Sequence, residues 1–349
     1  MSFVTMAVSQ IRDSRVSANP DYRLIMRSIV CRAFGPLESL EIAESDAPQL
    51  FPSCVRVEVA ACGVNYVDAL FVQGKYQIKP PTPFVPGMEV VGRITEIADD
   101  VSGFSLGDRV FANVGLGGYS SEVVVAAKRA LRLPETMTDG QAATFMQSYL
   151  TAWFALVERA RVEPGSWLAV LGAGGGVGLA AVDVGRALGL KVIGVASSQE
   201  KRSAARERGA IEVVDALSSP NDIKEEIKRL SDGGVRYLYD PVGGELGETC
   251  LRSLADDGQY LVIGFVAGIP QLPANQILLR NRRVTGVDWG GWAGRNPDKN
   301  DAMLAEVLSR IERGELSPIE PTSYPLEEAA RALDDLLKRR IPGKVVLTP

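Results

Sequence analysis

The 349-residue chain contains no histidine. That absence excludes a Ser-His-Asp triad, a histidine general base and every histidine-containing zinc site. Cysteine is scarce too: Cys31, Cys54, Cys62 and Cys250 are scattered without C-x-x-C pairing. Such thiols fit a reduced, cytoplasmic setting better than a disulfide framework or a thiolate metal site. No apolar run approaches the length of a membrane span, so no membrane partner is expected. The net charge is only −5, which gives no footing for nucleic-acid binding or a basic membrane-facing surface. What remains is an ordinary globular composition, in a chain long enough for two domains with substantial cores.

The most informative stretch runs from Trp167 to Gly189. Trp167 to Leu171 is a short apolar run, five glycines occupy the seven positions Gly172 to Gly178, and Val177, Ala180, Ala181, Val184 and Leu188 recur at helical spacing. A strand, a tight turn and a helix therefore succeed one another directly. Glycine permits a sharp turn and close approach of a ligand to the backbone, and the new helix aims unpaired N–H groups at that point. The turn reads as a pyrophosphate cradle built from Gly172, Ala173, Gly175, Gly176, Val177 and Gly178. Its spacing is A-x-G-x-x-G from Ala173, not the strict G-x-G-x-x-G. A tight strand-to-helix connection without a ligand is the other reading of such a turn.

Context favours the cradle. A second strand is expected at Lys191–Ala196, then a charged helix at Gln199–Arg208, a strand near Glu212–Val214, a helix at Asp222–Leu230, and strands at Val235–Tyr239 and Tyr260–Gly264. Strands alternating with helices at this spacing predict an α/β fold, a doubly wound parallel sheet with its ligand at the strands' carboxyl ends. An acidic residue about twenty positions past the glycines would accept from the adenosine ribose and repel a 2′-phosphate. Ala196 stands there instead, followed by Ser197 and Ser198, with Lys201 and Arg202 one turn later. This arrangement favours NADP(H) over NAD(H). In the alternative, a serine merely caps the helix and the two cations are solvated.

Residues 1 to about 25 show no periodic element and read as an N-terminal extension, either a tail or the product of a start assigned ahead of Met26. From Met26 to about 150 the pattern is β-rich, with strands expected at Ser28–Ala33, Cys54–Cys62, Val90–Ile97, Arg109–Ala112 and Glu122–Ala126. A helix from Gln141 to Ala160 should link this body to the nucleotide domain, placed at 151–290. The remainder, 291–349, should return to the first body through helices at Asn300–Arg313 and Leu326–Lys338 and a strand at Gly343–Leu347.

The segments GVNYVDALFVQGKY, PFVPGMEVVG, GDRV, LGAGGGVGLAAVDVGRALGLKVIGVASS, DPVGG, VIGF and GKVVL, in this order and spacing, resemble the medium-chain dehydrogenases/reductases, specifically their zinc-independent NADPH:quinone oxidoreductase branch. The resemblance implies a GroES-like β-rich catalytic domain split around a Rossmann domain. Where zinc enzymes of the superfamily carry a cysteine and a histidine, this chain has Asn65 and Met88. Without a Lewis acid, an acceptor needing little activation is expected: a quinone or an activated carbon–carbon double bond.

By the same resemblance, Asn65, Tyr66 and Asp68 line the cleft facing the nicotinamide, with Tyr76 near. Asn65, Tyr76 and Asp68 are then candidates for chemistry, since an amide N–H or phenol O–H can donate to a developing oxyanion. In the structural alternative, Asn65 and Asp68 shape a turn, Asp68 caps its helix and Tyr76 packs in a wall. Thr151, Gly243, Gly264, Phe265 and Lys344 match cofactor-contacting positions, and Trp289 and Trp292 either wall the acceptor pocket or serve packing. The resemblance also implies a homodimer, by edge-strand pairing around Arg283–Val287. Two rivals stand: an enoyl-thioester reductase, with Arg280, Arg282 and Arg283 gripping a CoA phosphate, and an NADPH-binding sensor or crystallin-like protein without turnover.

Overall fold

A computed structural model describes residues 25–349; the expected extension lies outside the described residues, apart from Ile25. Two compact units result, one formed by the chain up to Thr144 together with Ile319–Pro349, the other by Phe145–Pro318. The second unit starts earlier and ends later than the 151–290 expected from sequence.

In the first unit, β1 (Ile25–Val30) pairs antiparallel with β2 (Glu41–Asp46). The long β3 (Cys54–Val64) is buried along most of both faces and runs into a short helix, α1 (Tyr66–Val72). After it come β4 (Glu89–Ile97), β5 (Arg109–Asn113), β6 (Glu122–Ala126) and β7 (Ala130–Arg132). The helix α2 (Asp139–Trp153) contains the division between units and continues as a π-helical segment, Phe154–Ala160, stopped by Arg161 in the left-handed region at φ 52°.

The second unit is the expected alternation. Its elements are β8 (Trp167–Leu171), α3 (Gly176–Ala187), β9 (Lys191–Ala196), α4 (Gln199–Glu207), β10 (Glu212–Asp215), α5 (Pro220–Leu230), β11 (Val235–Asp240), α6 (Gly244–Cys250), β12 (Leu254–Val262), α7 (Ala274–Leu278) and β13 (Arg283–Gly286). All five strand pairings are parallel, in the order β10-β9-β8-β11-β12-β13. The order reverses direction between β8 and β11, and such a switch point opens a crevice at the carboxyl ends of the strands. The apolar runs of β8, β9 and β11 are buried because helices cover both faces of a parallel sheet.

Two more helices, α8 (Trp289–Arg295) and α9 (Pro297–Glu312), belong to this unit and not to the first. The Trp292 ring lies 4.7 Å from that of Phe154, and the Arg310 guanidinium stacks over Trp153. Met303, Leu304, Val307 and Ile311 of α9 are buried. Asp183 on α3 then fastens the segment after α9: it accepts from Tyr149 Oη at 2.8 Å, from Arg186 at 2.7 Å and from the Ser317 backbone N–H at 2.7 Å. The chain returns to the first unit as β14 (Thr322–Pro325), α10 (Ala329–Leu337) and β15 (Val345–Thr348). There β15 completes a sheet ordered β14-β15-β3-β4-β5-β7, with β6 also on β3.

Candidate functional site

The glycine turn after β8 is built as a cradle. Gly172 has φ +64°, a conformation that L side chains rarely adopt. A Cβ on Gly178 would stand 2.2 Å from the Gly172 carbonyl oxygen, and one on Gly174 would stand 2.4 Å from the Lys201 Cβ. Ala173 N–H donates to Val195 O at 2.9 Å, which pins the turn to β9. The N-cap of α3 is Gly175, with no side chain to satisfy the first N–H groups. These residues fit the pyrophosphate of a dinucleotide: backbone donors, a helix dipole and room for close approach.

Neighbouring strands bring the other expected contacts to the same edge. At the end of β9, Ser198 caps α4, its Oγ accepting from Lys201 N–H at 3.2 Å, so the capping reading of this serine is realised while its O–H proton remains to donate. Arg202 donates to Ala196 O at 3.2 Å and pairs with Asp215 at 2.9 Å, and is thus engaged within the fold. The Lys201 stem lies over Gly174, beside the cradle, with Ser197 at the same strand end. At the end of β11, buried Asp240 accepts from Val242 N–H at 2.7 Å and Gly243 N–H at 2.8 Å, and Tyr260 Oη donates to it from β12. Burial pushes the Asp240 carboxyl up, against these hydrogen bonds. Gly243 sits at φ +69°, and Gly264 N–H donates to Asp240 O at 3.3 Å, so the loops after β11 and β12 are tied together, with Phe265 half-exposed beyond them.

Thr151 is buried on α2. Trp289 is also buried, its indole N–H donating to Asn300 Oδ1 at 3.0 Å.

The first unit gathers a different constellation. Register sets it: Val64 of β3 faces Val345 of β15, and Gly63 of β3 faces Glu89 of β4. Asn65 just past β3, Lys344 just before β15 and Glu89 at the head of β4 therefore reach one level. Lys344 Nζ donates to Asn65 Oδ1 at 2.7 Å, and Asn65 Nδ2 donates to Glu89 Oε2 at 3.0 Å. Asn65 is also the N-cap of α1, and its backbone N–H donates to Asp68 Oδ2 at 2.8 Å, one arm of a capping box. Tyr119 Oη donates to the same Oδ2 at 3.1 Å, while Asp68 Oδ1 is buried with no hydrogen-bond partner. Gly87, at φ +90°, makes room for the Tyr119 ring, since a Cβ there would stand 2.3 Å from it.

All members of this cluster are buried. Desolvation pushes the Asp68 carboxyl up to about 7, against the hydrogen bonds from Asn65 N–H and Tyr119. Desolvation also lowers Lys344, while Glu89 and Asp68 hold it up. Cys62, deep in the same region, is driven well above the ordinary thiol range by burial, so it stays a thiol. Tyr66 is partly exposed at the start of α1, and Tyr76 is half-buried with its ring edge-on to Phe71, centroids 4.9 Å apart. Sequence reasoning groups Asn65 with Asp68, places Lys344 apart from them as a cofactor-contacting position, and names neither Glu89 nor Tyr119. The only signals for those two are a carboxylate at a strand head and a tyrosine behind a glycine pair.

Two family models match the chain: "Alcohol dehydrogenase GroES-like domain" over residues 52–135 and "Zinc-binding dehydrogenase" over residues 176–309. Zinc does not fit this donor set. The chain has no histidine, no group of three or more potential ligands that could hold a metal occurs among the described residues, and the Asn65 oxygen already receives an ammonium. A quinone oxidoreductase-like protein 2 homolog from Nematostella vectensis is 35% identical over 347 residues, 98% of this chain and 94% of its own length. Quinone oxidoreductase-like protein 2 from Bos taurus is 37% identical over 88% of this chain and 89% of its own length. The crystal structure of Escherichia coli quinone oxidoreductase complexed with NADPH superimposes with a TM-score of 0.82 at 28% identity, covering 93% of this chain and 100% of that one. The cradle without a neighbouring acid, the split β-rich unit and these likenesses agree: the chain belongs to the medium-chain dehydrogenase/reductase superfamily, in its quinone oxidoreductase branch, and is an NADPH-dependent oxidoreductase.

Proposed function

We propose that the protein transfers hydride from NADPH to a quinone or a related α,β-unsaturated carbonyl, without a metal. The observation that carries this reading is the Lys344–Asn65–Glu89 hydrogen-bonded chain, centred on the residue that, by the resemblance, stands where zinc relatives carry a cysteine. With no Lewis acid to polarise an alcohol or a plain ketone, an acceptor that is already electron-poor is the chemistry this donor set serves. Bound NADPH supplies the hydride.

The chain's own residues hold, orient and donate. The turn Gly172–Gly178 receives the pyrophosphate, Ser197, Ser198 and Lys201 meet the 2′-phosphate, and Thr151, Gly243, Gly264 and Phe265 hold the nicotinamide end. The Asn65 side chain donates an N–H to the acceptor oxygen as negative charge develops there, and Tyr76 or solvent returns the proton. Tyr66 offers a partly exposed ring for the acceptor.

The enoyl-thioester alternative keeps Arg283 but not its other two candidate anchors. Arg280 is paired with Asp256 at 2.8 Å, and Arg282 is buried with its guanidinium on the Leu254 and Gln276 carbonyls. Two of the three arginines offered for a CoA phosphate are therefore committed elsewhere.

The assay is NADPH oxidation with chelator present, comparing a quinone series with enoyl-CoA and simple enones, and NADH in parallel. Turnover on quinones or enones with NADPH preferred is expected. Dominance of enoyl-CoA would transfer the function to the alternative, and tight NADPH binding without turnover would point to a binding protein. A cytoplasmic homodimer paired through the edge strand β13 completes the proposal. The four cysteines are free thiols and the edge carries Val284 partly exposed. A Val284→Lys variant that sediments like the wild type would refute the edge contact.

A further inference from the structure

We infer that Lys344 and Glu89 are positioning residues that lock the Asn65 carboxamide in one of its two orientations, leaving a single uncommitted N–H as the donor the acceptor meets. This inference rests on the functional reading above and specifies how Asn65 serves it.

A side-chain amide is nearly isosteric with itself after a half-turn, so packing alone does not tell its oxygen from its nitrogen. Ionic partners do. An ammonium can only donate and an ionised carboxylate can only accept. Lys344 Nζ lies 2.7 Å from one end of the amide and Glu89 Oε2 lies 3.0 Å from the other. With Oδ1 toward the lysine and Nδ2 toward the glutamate, both contacts are charge-assisted hydrogen bonds. The half-turn would set N–H against N–H and oxygen against oxygen, in a place where every group is buried.

The main chain at Asn65 is fixed as well, since its N–H is held by Asp68. The side chain therefore has one state. Of its two amide N–H groups one is spent on Glu89, so one remains. Donation from Lys344 into the amide oxygen draws electron density from the nitrogen and strengthens that remaining donor. An amide oxygen presented to a developing oxyanion would repel it, and the lysine and glutamate together forbid that arrangement. The lysine thus does for this site by orientation what a metal ligand set does by coordination.

The test uses the full-length protein. Lys344→Met keeps the stem and removes the donor. Expected is a loss of about a hundredfold in kcat with the best acceptor, the size of one lost oxyanion donor, with NADPH Kd unchanged by fluorescence titration. In an Asn65→Ala background, Lys344→Met should cost nothing more, because it acts through the amide. Glu89→Gln, whose oxygen can still accept, should retain activity within about tenfold. If Lys344→Met fails to fold with two carboxyls left uncompensated, Lys344→Met/Glu89→Gln removes both charges and should show the same loss in kcat.

A weaker NADPH Kd with unchanged kcat, or losses that multiply with Asn65→Ala, would overturn the inference, because either would place Lys344 at the cofactor or in direct action. Should the wild type fail to oxidise NADPH with every acceptor offered, the functional reading falls by itself. The locking claim is then read on the Asn65 side-chain NH2 signals in a ¹H–¹⁵N correlation spectrum. Widely separated, slowly exchanging protons in the wild type that converge in Lys344→Met, or in the double variant, support it, and unchanged signals refute it.

Discussion

Asp68→Asn should become steadily more favourable, relative to the wild type, to the stability of the first unit as pH rises. In the unfolded chain the Asp68 carboxyl loses its proton near the ordinary 3.8, whereas in the folded cluster burial holds the proton to about 7. Between those values the native state binds more protons than the unfolded state, so this group makes folding less favourable as pH rises, and above 7 the penalty is complete. At about 1.4 kcal/mol per pH unit the whole interval corresponds to about 4 kcal/mol, of which roughly 3 kcal/mol falls between pH 5 and pH 8. Asparagine has no such titration. Its oxygen can still accept from Asn65 N–H and Tyr119, but its NH2 replaces the Oδ1 that has no partner, a fixed cost of about 1–3 kcal/mol. The variant should therefore gain roughly 3 kcal/mol of stability relative to the wild type between pH 5 and pH 8. All four tryptophans lie in the second unit, so hydrogen exchange of the Cys54–Val64 strand is the appropriate readout, corrected for the intrinsic rate at each pH. A stability difference that stays constant from pH 5 to 8 would refute the argument.

Three other variants probe contacts in the nucleotide-holding unit. Gly178→Ala drives a methyl against the Gly172 carbonyl, a backbone atom that cannot yield cheaply; strain of about 1–3 kcal/mol should weaken NADPH roughly tenfold to a hundredfold by fluorescence titration and leave exchange in the first unit unchanged. Ser197→Asp sets a carboxylate one residue past Ala196, the position where NAD-specific folds carry one, and the ratio of kcat/KM for NADPH over NADH should fall by at least about tenfold. Asp183→Ala strands the Tyr149 hydroxyl, Arg186 and the Ser317 N–H together, and a loss of about 3–5 kcal/mol should appear as a lower urea midpoint followed by tryptophan fluorescence.

Much of the fold is legible in the sequence, for identifiable reasons. The strands at Trp167–Leu171, Lys191–Ala196 and Glu122–Ala126 lie where the apolar runs place them, because continuous or alternating burial leaves a pattern. The strand expected from Tyr260 begins at Leu254 instead. Its Asp256-Asp257-Gly258 stretch reads as a turn but forms a bulge, across which the pairing jumps from Leu254 to Gln259. The strand Glu41–Asp46 leaves no such pattern, since it is mostly exposed and polar. The end of the second unit is hidden because Gly290-Gly291 looks like a break, whereas Trp292, Arg310 and Ser317 all pack back onto that unit.

At the site, residue types betray Asn65 and Asp68. Nothing in one dimension joins Lys344 to them, since that contact spans 279 positions and exists only through the register of three strands.

That span bears on how the molecule comes into being. The nucleotide-holding unit is one uninterrupted stretch of chain, rich in neighbouring strand–helix–strand pieces whose closure costs little entropy. The other unit is interrupted by it: until β15 arrives, Cys62–Val64 is a bare sheet edge and Asn65 has no ammonium to orient it. On the ribosome, then, competence to grip NADPH should come before competence to use it. During that interval the unpaired Cys62–Val64 edge, more than the glycine turn, is where the nascent chain is open to the wrong neighbour.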